Sequence, residues 1–265
     1  LVNHFKNEHV AAVSGNVKVG NKGNLLTNWQ HIEYVTGFNL ERRAFAVLNC
    51  ITVVPGAIGA WRKTAVIEAG YFQEDTLAED TDITLTLLSL GKKIEFEEKA
   101  YAFTEVPEDI KSLAKQRYRW VYGTLQCLWK HRGSLFNKKH PSLGYIGLPN
   151  MWIFQYIFQT ISPIADIVFL IALFSGNAGK AAIGFILFYL LDFVTSLYAF
   201  HLEKESPRPL GSLFLQRILY KQLMTYVVIK SIFSAIKGVT VGWNKLKRNG
   251  NVTQEIYMEN VKENM

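Results

Sequence analysis

The chain has 265 residues, 49% of them hydrophobic, with 29 Lys+Arg against 22 Asp+Glu and a formal net charge of +7. Its mean hydropathy of +0.08 is high for a chain so charged, and two isolated cysteines, Cys50 and Cys127, support neither a disulfide framework nor a structural zinc site. The positive balance suits a polyanion or the anionic inner face of a membrane, and the apolar stretch from about 143 to 200 favours the membrane over nucleic acid.

Residues up to about 140 mix charged and apolar positions as a soluble α/β domain does. The opening LVNHFKNEHVAAVSGNVKV reads as a helix end running into a strand. Leu1 is not an initiator Met and no signal peptide follows, so the chain is expected to begin mid-domain. The strand HVAAVSGNVKVG is closed by Gly20. NWQHIEYVTGFNLERRAFAVLN carries apolar residues at helical spacing, with Thr27 or Asn28 as its cap. TVVPGAIGAWRKTAVIEAGYF reads as strand, small-residue turn, strand and a short helix from Lys63 ended by Gly70. AEDTDITLTLLSLG is a helix stopped by Gly91, and KKIEFEEKAYAFTEV is strand-like. Strands alternating with helices predict an α/β domain with a largely parallel or mixed sheet.

DIKSLAKQRYRWVYGTLQCLWKH, about 109–131, interleaves aromatic and basic residues and is expected to be an interfacial helix, or else a surface helix of the soluble domain. Three apolar segments follow, at about 145–174, 181–200 and 213–236. The first is long enough to be tilted, kinked at Pro163 or partly interfacial. The third carries Arg217, Lys221 and Lys230, which must pack against protein or lie in the interface. Three full crossings would leave Lys237, Lys245, Lys247 and Arg248 outside, against the positive-inside rule, so one segment is expected not to cross fully. The domains are therefore 1–142, then 143–240 as membrane or interfacial helices, then a basic and polar tail at 241–265.

Three constellations could carry chemistry. Thr76 and Glu79 have capping-box spacing, and Glu79, Asp80 and Asp82 suit a helix N-terminus, so this cluster either starts a helix or supplies a catalytic base. Gln116, Arg117, Arg119 and Trp120 in QRYRW offer guanidiniums for phosphate and an indole for stacking on sugar, or else are the face of an interfacial helix. In VVPGAIGAWRK, small residues around Gly56 allow close approach of a ligand, or simply make a tight turn. The six histidines are scattered and read as solvated or core residues.

Gly56, Asp80 and Gln116 succeed one another at intervals of 24 and 36 positions. In that order the sequence resembles the processive family 2 glycosyltransferases of membranes, most closely bacterial poly-β-1,6-N-acetylglucosamine synthases. Glu79-Asp80 matches the family's Glu-Asp motif, and Gln116, Arg119 and Trp120 match Gln-x-x-Arg-Trp. The resemblance runs from about residue 5 into the membrane segments. It implies an α/β fold: the C-terminal part of a GT-A-like (nucleotide-diphospho-sugar transferase) domain, followed by α-helical membrane segments.

By this resemblance Asp80 is the general base and Glu79 orients the site. Arg119, with Arg117 as a second candidate, stabilises the leaving diphosphate. Trp120 stacks on the acceptor, Gln116 contributes to substrate binding, and Pro55, Gly56 and Ala57 line the acceptor's path. The implied activity is polymerisation of a β-linked polysaccharide from UDP-N-acetylglucosamine at the bacterial inner membrane. The protein would be multi-pass with a cytoplasmic catalytic domain, and a small membrane partner subunit is left open. Mg2+ or Mn2+ is implied for the full-length enzyme, with no metal ligands in this chain, because the Asp-x-Asp motif has no counterpart before Gly15 and would lie upstream of Leu1. These residues alone are therefore expected to be inactive. VPGA replaces the aromatic pair and Cys-Gly-Ser of cellulose synthases, which argues against cellulose. The alternatives are a sibling synthase of hyaluronan, chitin or a β-glucan, a non-processive lipid glycosyltransferase, or a non-catalytic membrane scaffold.

Overall fold

Strand β1 (Val10–Val19) is buried at all ten positions, as a strand covered on both faces must be. In the computed structural model, which describes residues 1–238 and Gly250, β1 is central in a sheet of order β2-β1-β3. β2 (Gly59–Trp61) pairs antiparallel, with Val13 opposite Ala60. β3 (Lys93–Thr104) pairs parallel, with Val13 opposite Glu95. The sheet is thus mixed. The TVV run forms no strand; Val54 N–H donates instead to the Thr84 hydroxyl at 3.1 Å, because a helix and not a strand lies beside it.

The first long helical stretch begins one turn earlier than its sequence suggests. Asn24, not Thr27 or Asn28, caps α1 (Leu25–Glu33), and Thr27 returns the bond to complete a reciprocal capping box. A π-helical stretch (Tyr34–Asn39) leads into α2 (Leu40–Val47). α3 (Lys63–Glu68) and α4 (Glu79–Ser89) are followed by Gly70 and Gly91, whose φ of +80° and +74° glycine adopts without strain. Capping of α4 differs from expectation: the N-cap is Ala78, with no side-chain bond, and Thr76 is buried two residues ahead of it. α5 (Ile110–Lys130) is capped by Asp109, whose carboxylate accepts from Ser112 N–H at 2.8 Å.

One face of α5 is core. Leu113, Gln116, Arg117, Tyr122, Gly123, Cys127 and Leu128 are buried, while Lys111, Lys115, Trp129 and Lys130 are exposed. Both cysteines are free and buried. The main core joins Ile83, Leu85 and Leu87 of α4 to Ile94, Leu128, Leu143, Leu148 and Met151. Full burial of each such side chain contributes about 1.5–3 kcal/mol.

A 33-residue helix, Ser142–Phe174, opens with a π-helical turn at Ser142–Gly147 and contains α6 (Leu148–Asn150) and α7 (Phe158–Phe174), separated by a second π-helical stretch at Met151–Ile157. Its excess length has a packing explanation. Leu143, Leu148, Met151 and Tyr156 are built into the α/β core, and the Tyr156 hydroxyl donates to the Val121 carbonyl at 2.7 Å. α8 (Ala178–Leu202) is the second helix long and apolar enough to cross a membrane, and the two are the only ones among the described residues.

The third apolar segment is broken into α9 (Leu213–Leu215), a π turn (Gln216–Tyr220) and α10 (Lys221–Ile236). Its charges do meet protein. Arg217 forms a two-pronged pair with Asp192 of α8, and Lys221 Nζ lies 2.6 Å from Asp166 of α7. Val227, Val228 and Ser231 are buried, and Lys230 sits over the Tyr118 ring of α5 at 5.2 Å. The expected tail at 241–265 lies, Gly250 apart, outside the described residues.

The loop after α8 docks onto β1. Lys18 Nζ reaches Glu205 at 3.0 Å and the Glu203 carbonyl at 3.2 Å, Lys22 reaches Glu205 at 3.1 Å, and Arg43 reaches Glu203 at 2.8 Å. His31 Nε2 stands 3.7 Å from Glu205. Burial, reinforced by Lys22, pushes the His31 imidazole down from 6.5 to about 3. Burial would raise Glu205, but Lys22, Lys18 and His31 hold it down at about 2.

A base kept neutral by folding takes up a proton on unfolding, so stability falls as pH drops from 6.5 toward 3. The depressed carboxylate adds stability above its unfolded value that is lost as pH falls toward 2. The two act in the same direction. Between pH 6.5 and 5, His31 alone should cost about 2 kcal/mol. His31→Gln should flatten that limb of the thermal-unfolding profile of the detergent-solubilised protein, and an unchanged slope would refute this assignment.

Candidate active site

Asp80 sits in the first turn of α4, with Glu79 before it and Asp82 after it. Its Oδ1 accepts from Thr81 N–H at 2.7 Å and its Oδ2 from Gly56 N–H at 3.2 Å. Two backbone donors fix the orientation of the carboxylate at the helix N-terminus. Thr84 ties the two segments together, donating to the Asp80 carbonyl while accepting from Val54. A Cβ placed on Gly56 would meet nothing within 4 Å, so open space stands beside Gly56, and Asp80 is half-buried. Gly59 is different. There a Cβ would approach Val54 Cγ1 to 2.8 Å, so its small size serves packing and not ligand access.

Asp82 points away from solvent into a clamp. Lys130 Nζ and His131 Nε2 each approach it to 2.8 Å, and Lys130 also reaches Asp75 at 2.9 Å. Burial would raise the Asp82 carboxyl, but the bonds from His131 and Lys130 hold it below its usual range. The start of α4 is further tied to α5 by Leu77 N–H donating to Gln126 Oε1 at 3.0 Å and by Cys127 Sγ at 3.5 Å from the Ala78 carbonyl. Gly123 permits this approach: a Cβ there would lie 2.8 Å from Ala78 N and 2.9 Å from Leu77 C.

Trp120 is three residues before Gly123, a rise of about 4.5 Å along α5. The segment that presents Asp80 and the segment that carries the indole are therefore in van der Waals contact. Trp120 is half-buried and packs with the Val17, Val19, Tyr34 and Val106 cluster and with Phe38. Its ring lies 6.3 Å from that of Phe38 and 4.4 Å from the Arg117 guanidinium.

The four candidate residues in QRYRW, Gln116, Arg117, Arg119 and Trp120, do not share one environment. Gln116 is 7% exposed, and its Oε1 has no hydrogen-bond partner among the described residues. Arg117 is 2% exposed and engaged with Glu33 and Tyr220. Arg119 and Trp120 are half-buried. Pro55 is half-buried, and Gly56 and Ala57 are exposed. The structure thus brings Asp80 and Gly56 together, packs Trp120 against Phe38 and Arg117, and turns Arg117 inward.

Arg42 is a residue of this region that motif spacing did not single out. Its guanidinium is lowered to about 10 by burial, against the pull of Glu41, Tyr34 and Asp80. Glu41 itself is raised by burial, opposed by Arg42 and by a 3.1 Å bond from Asn150. The only signal was two charges, Glu41 and Arg42, inside an otherwise amphipathic helix. Among the described residues no group of three or more His, Cys, Asp or Glu could hold a metal ion.

A family model described as glycosyl transferase family group 2 matches residues 1–202. The poly-beta-1,6-N-acetyl-D-glucosamine synthase of Staphylococcus aureus (strain COL) is 30% identical over 129 residues, 48% of this chain and 31% of that protein. The protein of the same name from Staphylococcus epidermidis is 31% identical over 138 residues, 52% of this chain and 34% of that one. The chain spans about a third of the length of these relatives. Among solved structures, the mannosyltransferase PcManGT from Pyrobaculum calidifontis, in complex with GDP-Man and Mn2+, superposes with a TM-score of 0.58 at 14% identity. The match covers 90% of this chain and 57% of that one, a likeness of fold.

Proposed function

Because this chain belongs to glycosyl transferase family group 2, we propose that it forms part of a membrane-bound, inverting polymerase that makes β-linked poly-N-acetylglucosamine from UDP-N-acetylglucosamine. The observation that carries this reading is the Asp80 carboxylate, held at a helix N-terminus by the N–H of Gly56 at 3.2 Å, a glycine whose own Cβ side is open. Asp80 removes the proton from an acceptor hydroxyl. The freed oxygen attacks the anomeric carbon of the donor sugar as the bond to the nucleoside diphosphate breaks, inverting that centre. Glu79 orients the segment.

Arg119 stabilises the charge that grows on the leaving diphosphate. Arg117, committed to Glu33, is freed from that duty. Trp120 stacks on the acceptor end, Gln116 supports the same helix face, and Pro55–Ala57 line the acceptor's path. The names of the staphylococcal relatives support N-acetylglucosamine as the sugar. Mg2+ or Mn2+ accompanies the donor in this reading, on ligands outside residues 1–238, and no step here depends on it.

α7 and α8 cross the inner membrane, and α10 lies back along α5. Two crossings return Lys237 to the cytoplasmic side, as the positive-inside rule asks. This removes the conflict that three crossings create.

Membranes carrying the natively expressed protein test the reading when offered UDP-N-acetylglucosamine, UDP-glucose, or UDP-N-acetylglucosamine with UDP-glucuronate. The expected result is a β-1,6-linked polymer from UDP-N-acetylglucosamine alone. A β-1,4 polymer from that donor would indicate a chitin synthase. A requirement for glucuronate would indicate a hyaluronan synthase, and use of UDP-glucose a β-glucan synthase. No product from any donor would favour a scaffold.

A further inference from the structure

Arg117 is the arginine of QRYRW that faces the interior, and its partners come from far along the chain. Its Nη2 donates to Glu33 Oε2 of α1 and, at 3.3 Å, to the Tyr220 hydroxyl. The same hydroxyl donates to Glu33 Oε2 at 2.7 Å. The three groups close a triangle of a buried cation, its counter-ion and a phenol, joined through the one nitrogen Nη2, while Arg117 Nε has no hydrogen-bond partner among the described residues. The other side of that guanidinium lies against the Trp120 ring at 4.4 Å, a cation–π contact strengthened by the low exposure of the site.

Tyr220 is itself held in place. Its ring meets Trp29 edge-on at 6.2 Å, and Gln216 Nε2, in the same π turn, donates to the Trp29 carbonyl at 2.8 Å. Arg217 of that turn is paired with Asp192 of α8. A continuous chain of contacts therefore runs from α8 through Arg217 and the π turn to Tyr220, Arg117 and Trp120.

We infer that Glu33 and Tyr220 are positioning residues for the acceptor platform: acting through Arg117, they fix the plane of Trp120 and tie it to the helices that follow the catalytic part. The inference rests on the proposed role of Trp120 as the stacking face for the growing chain. A stacked sugar is retained between additions only if the indole keeps its orientation. Loosening the triangle should therefore raise polymer release more than it slows transfer.

Tyr220→Phe, which deletes one hydroxyl, and Glu33→Gln, with Glu33→Asp as the conservative variant, test this in membranes carrying the natively expressed protein. The expected result for Tyr220→Phe and Glu33→Gln is a product about threefold to tenfold shorter. KM for the donor should stay within about twofold, and Glu33→Asp should recover most of the length. Loss of activity in proportion to lost folded protein, with polymer length unchanged, would overturn the inference, as would wild-type behaviour throughout.

A second readout needs no polymer. With 5-fluorotryptophan incorporated and the Trp120 resonance assigned by Trp120→Phe, Tyr220→Phe and Glu33→Gln should shift that resonance and leave Trp61 and Trp129 in place. An unmoved Trp120 resonance would refute the coupling. A wild type that makes no polymer while the resonance does shift would refute the proposed function instead.

Discussion

Asp80→Asn should reduce polymer synthesis by on the order of 10²–10⁴-fold while leaving the fold and donor binding intact. The substitution is nearly isosteric, and the new amide oxygen can still accept from Gly56 N–H or Thr81 N–H, the two backbone bonds that hold the carboxylate. It removes the ability to take a proton from the acceptor. The measurement is labelled-sugar incorporation by membranes, with thermal unfolding of the solubilised variant as the folding control. Synthesis within tenfold of wild type would remove Asp80 as the base. Glu79→Gln should cost far less, because Glu79 is assigned to orientation and not to proton transfer.

Gly123→Val should damage fold and activity together. The side chain would enter space held by the Ala78 and Leu77 backbone, at 2.8–2.9 Å from atoms that no rotamer change can move. Such overpacking costs about 1–3 kcal/mol. The relief available is separation of α5 from the start of α4, which moves Trp120 away from Asp80. A misplacement of about 1 Å at a reacting centre costs roughly 100-fold in rate, so activity should fall further than the loss of folded protein explains. Gly133→Ala, where a Cβ meets nothing within 4 Å, is the control and should match wild type in both respects. A fully active Gly123→Val enzyme would show that the contact between the two segments does not set the site.

The parts of this architecture that depend on local chemistry were readable in advance. The small and β-branched run of β1, the basic and aromatic helix over about 109–131, and the stop of α4 at Gly91 all stand where the sequence places them. Asp80 at a helix start was readable from the acidic cluster ahead of an apolar run, and the structure joins it to Gly56 at 3.2 Å.

What could not be read depends on residues brought together across the chain. Arg117 looked like a second phosphate ligand, yet its counter-ion and phenol lie 84 and 103 positions away, so its burial leaves no local mark. Asp82 looked like a helix-dipole residue, and its clamp comes from 48 and 49 positions downstream. The capping box at Thr76 and Glu79 failed for a related reason. Contacts from Gln126 and Cys127 of α5 hold the segment before α4, and the helix starts where they allow it. In the third apolar segment the sequence required that the charges pack against protein or lie in the interface, but not which partners they take; Arg217 and Lys221 answer Asp192 and Asp166 on the two preceding helices.

The most direct test is a structure of the natively expressed enzyme with an acceptor oligosaccharide and an unreactive donor analogue bound. We expect the acceptor's terminal hydroxyl within about 2.6–3.2 Å of the Asp80 carboxylate, with the terminal ring stacked on Trp120. An acceptor bound elsewhere, or an Asp80 carboxylate with no sugar oxygen in reach, would contradict the account.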